Sequence, residues 1–336
     1  MTLSVHDPGS GPAILEIADL RKTFPVAQSL LGRLRGEEKQ EVKALNGVSL
    51  SVRQGETLGI VGESGCGKTT LARCIVRLYR ADGGRIRFDD LDVLALQGPA
   101  LRAYHRRVQM VFQDPFNSLN PRMTVGQTLG EALRVHRLRP PDQVDARIRE
   151  LLDLVGLPQD AAQRLPHEFS GGQRQRIGIA RCLCVEPDVL VADELVSALD
   201  VSVQAQIINL LLDLQERLNL TVLFVAHDLR LVRHISHRVA VMYLGSVVEL
   251  AETERIFSGP MHPYTQALIS AAPTLDPSRK STVEAVQGEL PSPLDLPPGC
   301  PFHTRCPHVF DRCRVETPRL KASEAGHYTA CHLYDE

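Results

Sequence analysis

Eight consecutive residues set the first chemical expectation. Gly62-Glu63-Ser64-Gly65-Cys66-Gly67-Lys68-Thr69 fits the phosphate-binding pattern of a glycine, four residues, then Gly-Lys-Thr. Gly62, Gly65 and Gly67 permit backbone conformations that a Cβ disfavours, so successive N–H groups can turn inward around a phosphate. Lys68 supplies a point charge suited to β- and γ-phosphates, and the Thr69 hydroxyl suits Mg2+; Ser64, Cys66 and Thr70 complete the loop. A glycine-rich turn ending in Lys-Thr by chance would need no particular flanks. Here the run 57–61 is short, β-branched and apolar, as a buried strand is, and residues 71–78 have helical spacing. A loop between strand and helix also gains the positive end of the helix dipole.

Three further groups could act with that loop. Asp193-Glu194 ends the apolar run 189–192; an acid at a strand's C-terminal edge can order a Mg2+ shell, and Glu194 can polarise an attacking water. Two solvated loop acids are the plain alternative, weakened by the loop upstream. Ser170-Gly171-Gly172-Gln173 opens a helical run with a hydroxyl and exposed N–H groups, a second anion-binding terminus that an ordinary cap would equally explain. His227 follows the apolar run 221–226; a lone histidine there is usually a satisfied polar residue, and beside the other motifs it becomes a γ-phosphate contact. Phe24 is balanced between a core aromatic and a stacking platform for adenine.

Eight cysteines divide into two groups. Cys66, Cys74, Cys182 and Cys184 sit in apolar αβ runs, where a buried thiol is ordinary. Cys300, Cys306, Cys313 and Cys331 crowd the tail with five, six and seventeen residues between them. A reducing cytosol disfavours structural disulfides there. Four thiolates suit a [4Fe-4S] cluster or zinc, and free thiols stay open as a third reading; the spacing lacks the short paired knuckles of zinc ribbons.

The elements that must position these groups are legible in outline. Residues 13–20 alternate as an edge strand, 48–52 as another, and 83–88 as a hairpin strand, with a polar insertion at about 28–43. Residues 108–112 form a compact strand. The stretch 124–136 and the stretch 144–154 carry helical spacing within a helical insertion at about 115–170. A helix over 203–218 leads into the strand 221–226, and 239–242 with 247–249 reads as a closing hairpin around Leu244-Gly245-Ser246. The chain has 336 residues, enough for one large α/β domain plus an attachment, divided at 1–272 and 273–336. With 38 Lys and Arg against 40 Asp and Glu, net charge favours no polyanion, so nucleic acid is not expected as a partner. No stretch reaches the roughly 18 apolar residues of a membrane span. Residues 1–7 lack a secretory signal, so a cytoplasmic chain is expected.

Taken together, residues 14–273 resemble the ATPase subunit of an ATP-binding cassette (ABC) transporter. The resemblance implies an α/β P-loop NTPase cassette with an antiparallel β subdomain, the helical insertion, and a short cysteine-containing extension. It makes Phe24 the adenine-stacking aromatic, Gln113 the Q-loop glutamine that senses Mg2+, and Ser170-Gly171-Gly172-Gln173 the signature motif, with Phe169 where leucine is commoner. It makes Ser197-Ala198-Leu199-Asp200 the D-loop and His227 the switch histidine. Catalysis would fall to Glu194, His227 and Gln113, Mg2+ to Thr69, Gln113 and Asp193, and Ser170 would act on the nucleotide of a second subunit. Asp114-Pro115-Phe116-Asn117-Ser118-Leu119-Asn120-Pro121-Arg122, Ser202-Val203-Gln204-Ala205-Gln206, His262-Pro263-Tyr264-Thr265 and the segment 299–307 look like oligopeptide/dipeptide and related nickel importer ATPases, of the F type. That group implies a second, paralogous ATPase chain, two transmembrane permease subunits, an extracytoplasmic binding protein, and a peripheral seat on the cytoplasmic face of the inner membrane. It also tilts the tail cysteines toward iron-sulfur. One departure stands out: Leu195-Val196 replace the family's Pro-Thr after Glu194. This keeps open a regulatory subunit that binds ATP and hydrolyses it weakly, beside the main reading of a peptide-importer ATPase and the alternative of nickel or another small solute.

Overall fold

The structure, a computed structural model, describes residues 12–26, 40–112, 119–197, 199–271, 289–324 and 326–335. Chain contacts divide it into two compact units: Met1–Arg53 with Leu58–Leu94 and His227–Glu336, and Gln54–Thr57 with Ala95–Ala226.

The first unit begins with β1 (Ala13–Pro25) and β2 (Glu41–Arg53). The buried strand β3 (Thr57–Val61) follows, then α1 (Lys68–Ile75), β4 (Gly83–Phe88) and the two-residue β5 (Leu91–Asp92). β1, β2, β4 and β5 make an antiparallel sheet in the order β2-β1-β4-β5, while β3 belongs to a second sheet. The expected edge strand 13–20 is therefore central and longer than its alternation suggests, because β2 and β4 pair with it from both sides. The expected polar insertion also ends earlier, since residues 41–43 belong to β2; the rest of it lies largely outside the described residues. The helix expected at 71–78 starts at Lys68 and stops by Val76, because Arg77 takes a left-handed φ of 60°.

In the second unit, α2 (Gly98–Arg107) leads into β6 (Val108–Val111). Two helices follow at the expected places, α3 (Val125–Val135) and α4 (Val144–Leu154). Thr124 and Gln127 form a reciprocal capping box on α3, satisfying two backbone donors that the first turn cannot pair. Next come α5 (Gly171–Leu183), β7 (Val189–Asp193), α6 (Val201–Leu218) and β8 (Thr221–Val225). β6, β7 and β8 run parallel, and every residue of β7 and β8 is buried. Continuous burial explains their unbroken apolar sequences.

The first unit resumes with α7 (Leu229–Ile235), β9 (Arg238–Tyr243) and β10 (Ser246–Glu252). β9 pairs parallel with β3 and antiparallel with β10, as the hairpin expectation required. Short helices α8 (Thr253–Ser258) and α9 (Pro263–Ser270) precede α10 (Asp311–Val315), β11 (Lys321–Glu324) and β12 (His327–Thr329) in the tail. β12 adds to β10, and β11 to β12. A tail this small cannot bury a core alone, and it borrows one by extending the sheet. Among the described residues no helix is long and apolar enough to cross a membrane.

Candidate active site

In the first unit, the phosphate-binding loop hangs between the buried end of β3 and the start of α1. Gly67 is the N-cap of α1, with φ 105° and no side-chain cap. A Cβ there would sit 2.4 Å from the carbonyl oxygen of Ala44, so the position needs glycine on two counts. The loop is braced from outside as well. Cys66 O accepts the Gly245 N–H at 2.8 Å, from the turn of the β9–β10 hairpin. Gly245 O accepts the Asn46 N–H at 2.8 Å, and the Asn46 amide donates to Leu244 O at 2.8 Å. β2 and the hairpin turn thus fix the loop's shape.

Lys68 is 4% exposed. Its ammonium donates to the carbonyls of Gly62 and Glu63 at 2.8 and 3.0 Å, so the charge spans the loop. Cys66 is buried with its sulfur 3.8 Å from the Lys68 ammonium, and burial pushes its thiol pKa up against the opposing field of Lys68. Ser64 and Gly65 are exposed, and a Cβ at Gly65 would meet nothing within 4 Å. Uncapped helix N–H groups, a spanning lysine and open space above Gly65 fit a phosphate chain. Thr69 and Thr70 are half-buried in the first turn of α1.

Phe24 is half-buried on β1, and its ring meets that of Tyr79 edge to face at 5.2 Å. Tyr79 OH accepts from Arg73 of α1 at 2.8 Å, so the aromatic is tied to the helix that carries Lys68. His227 is exposed and stands next to Asp228, whose carboxylate caps α7 by accepting the Arg230 N–H at 2.9 Å. Gln113 lies outside the described residues.

The second unit holds the acidic and serine groups. Asp193 is the last residue of β7 and 4% exposed. Glu194 takes a left-handed φ of 47°, and its N–H donates to Val225 O at 2.9 Å. Its carbonyl accepts both the N–H and the hydroxyl of Ser197, at 3.1 and 3.0 Å. The Gln204 side chain donates to Val196 O and Leu199 O, each at 3.0 Å, and Leu195 and Val196 are buried. The turn after Glu194 is therefore held on both sides without the proline and hydroxyl of the expected Pro-Thr.

Ser170 caps α5 in a closed box: its hydroxyl accepts the Gln173 N–H at 3.3 Å, and the Gln173 side chain accepts the Ser170 N–H at 3.0 Å. Phe169 is buried with the Arg164 guanidinium 4.5 Å over its ring, so the larger side chain in leucine's place is accommodated. A Cβ on Gly172 would lie 2.4 Å from Val203 Cγ1, and one on Gly171 would lie 3.3 Å from Leu199 Cδ2. The glycines let the start of α5 pack closely against 199–203.

The tail cysteines share one neighbourhood, close enough for Cys300 to feel Cys306, Cys313 and Cys331 electrostatically. Cys300 N–H donates to Cys313 O at 2.8 Å. Yet among the described residues no three His, Cys, Asp or Glu side chains are arranged to hold a metal ion. The expectation of a four-thiolate cluster or zinc site is not matched by this geometry. Burial pushes the thiols of Cys300 and Cys331 up to about 11 and raises that of Cys306.

Two residues at the site escaped the sequence reading. Gln204 and Tyr264 both fall in segments that mark the subfamily, without a physical role attached to them. Tyr264 OH accepts the Glu63 N–H at 2.9 Å inside the phosphate-binding loop. Tyr264 and Glu63 lie 201 residues apart, so no local signal announces that contact, whereas Gln204 reaches back only eight and five residues, to Val196 and Leu199.

Known proteins match this arrangement. Residues 45–197 match the family described as ABC transporter, and residues 248–313 the oligopeptide/dipeptide transporter C-terminal region. The chain is 50% identical over 326 residues to the oligopeptide transport ATP-binding protein AppF of Bacillus subtilis (strain 168), covering 96% of this chain and 97% of that one. It is 48% identical over 321 residues to the probable peptide ABC transporter ATP-binding protein y4tS of Sinorhizobium fredii, covering 96% and 90%. Among solved structures, the dimeric post-hydrolysis state of the ATP-binding cassette MJ0796 with ADP and Pi aligns with TM-score 0.61 and 27% identity, over 71% of this chain and 98% of that one. CbiO1 from Clostridium perfringens, part of the transporter complex cbiONQ, aligns with TM-score 0.62 and 26% identity, over 76% and 92%. The chain belongs to the ABC transporter family of ATPases, joining an ABC cassette to the oligopeptide/dipeptide transporter C-terminal region.

Proposed function

We propose that this chain binds Mg·ATP on residues 62–70 with Phe24 against the base, hydrolyses it with Glu194, and so drives import of oligopeptides or dipeptides. The observation that carries the nucleotide site is the uncapped N-terminus of α1, with Lys68 spanning the loop before it. The peptide cargo is supported by the names of the relatives, AppF and y4tS among them. Thr69 and Asp193 would hold Mg2+, which when bound neutralises developing phosphate charge. Gln113 would join them. Glu194 orients water as general base, on a backbone tied to Val225 and Ser197. Those ties favour hydrolysis in this chain's own site over a regulatory subunit.

His227 would contact the γ-phosphate, and Ser170 the nucleotide of a second, paralogous ATPase chain. Two permease subunits at the cytoplasmic face of the membrane, served by a binding protein, complete the assembly. Residues 1–272 act as the cassette and 273–336 as its extension. A [4Fe-4S] cluster or zinc on Cys300, Cys306, Cys313 and Cys331 would need these side chains to rearrange around the metal; iron and zinc analysis of anaerobically purified chain decides between it and free thiols.

The test is ATP turnover of the assembled complex with Glu194→Gln. We expect a fall of about 10²–10³-fold with nucleotide binding retained. Turnover at the wild-type rate would place hydrolysis in the partner's site and leave this chain the regulatory role.

A further inference from the structure

One contact of the phosphate-binding loop reaches 242 residues down the chain. Arg305, in the turn between Cys300 and Cys306, gives both arms of its guanidinium to Glu63: Nη1 to Oε2 at 2.9 Å and Nη2 to Oε1 at 3.1 Å. The arginine side chain is 7% exposed and the glutamate 28%. Beneath them Tyr243 accepts from Nη1 at 3.4 Å, its ring 5.9 Å from the guanidinium carbon. The turn is itself fixed. Arg305 N–H donates to Phe302 O at 3.0 Å, and the buried Phe302 packs on the rings of Tyr243 and Tyr264, centroids 5.3 and 5.5 Å away. Tyr264 takes the Glu63 N–H, while Glu63 O takes the Lys68 ammonium. Every polar group of Glu63 is thus engaged, its carboxylate by the tail and its carbonyl by the phosphate-binding lysine.

A carboxylate in a phosphate cradle opposes a polyanion, and the field of Glu63 reaches the Cys66 thiol within the loop. A bidentate, largely desolvated arginine offsets that charge and holds the loop at once. We infer that Arg305 is a positioning residue for the nucleotide site, neutralising Glu63 and clamping it so that nucleotide affinity depends on the cysteine-bearing tail. This rests on ATP binding at residues 62–69.

The test uses the full chain with Mg2+ and a fluorescent (mant) ATP, alongside steady-state ATP turnover. Arg305→Met leaves Glu63 unpaired: affinity falls roughly tenfold and KM rises by a like factor, with kcat within about twofold of wild type. Adding Glu63→Gln to Arg305→Met removes the stranded charge and restores most of the affinity. A merely structural arginine would give no such restoration. Should Arg305→Met fold poorly, Arg305→Lys keeps the charge and loses the fork; affinity then falls about threefold and is again restored by Glu63→Gln. Unchanged affinity in both arginine variants, or a deficit that Glu63→Gln leaves intact, overturns the inference. Lys68→Ala separates the two levels: mant-ATP binding that survives it sinks the nucleotide reading itself, whereas its loss beside an unaffected Arg305→Met sinks only the role of Arg305.

Discussion

Two helices in this chain begin at small residues suited to anions, and they begin differently. α1 starts at Gly67 in a left-handed conformation with no side-chain cap; α5 starts at Ser170 in an extended conformation with a reciprocal box satisfying two of its backbone donors. Both starts carry the positive end of a helix dipole. The first has no side-chain cap, and the second engages the N–H groups of Ser170 and Gln173 in its own box. An open start, held in shape by Ala44, Asn46 and Gly245, is built to bind within its own chain. The boxed start pairs two of its donors within the chain and keeps the hydroxyl proton of Ser170 and the N–H groups of Gly171 and Gly172 to offer outward.

The difference is broken most severely by making the first helix start like the second. Gly67→Ser adds a hydroxyl cap and also a Cβ at φ 105°, 2.4 Å from Ala44 O. We expect nucleotide affinity to fall at least about 100-fold, measured with mant-ATP, and thermal stability to drop. Affinity near the wild-type value would show that the open start is incidental. The converse change is milder. Ser170→Ala removes the cap from α5 at a cost of about 1 kcal/mol, roughly one to two degrees in the melting temperature. ATP turnover of the assembled pair should fall about tenfold, while nucleotide binding to the isolated chain stays as it was. Lost binding in the isolated chain would place Ser170 at this chain's own nucleotide.

What could be read from the sequence was local. The loop 62–69 and its flanks are contiguous, and the limits read for the helix at 124–136 fall on its N-cap Thr124 and C-cap His136. Capping residues announce themselves within three or four positions, so spacing suffices. β1 was misplaced at an edge because pairing with β2 and β4 is decided by distant segments, which alternation cannot name. Glu63 and Arg305 are invisible for the same reason: each alone looks like a solvated charge, and only the fold brings them together. The tail cysteines show the opposite failure. Their clustering in sequence invites a metal centre, while among the described residues their side chains are not arranged to hold a metal ion.

The smallest change sharpens the comparison most. Gln173→Ala leaves Ser170 in place and removes only the return half of the box, the side-chain oxygen that accepts the Ser170 N–H. Half a capping box contributes a few tenths to about 1 kcal/mol, so the melting temperature should move by a degree or two at most. The hydroxyl still accepts the N–H of residue 173, since that bond uses the backbone. If Ser170 acts outward only through its hydroxyl, turnover of the assembled pair should stay within about twofold of wild type, against the tenfold loss in Ser170→Ala. A tenfold loss in Gln173→Ala as well would mean that the closed box itself, by holding the Ser170 backbone extended, is what the partner's nucleotide requires.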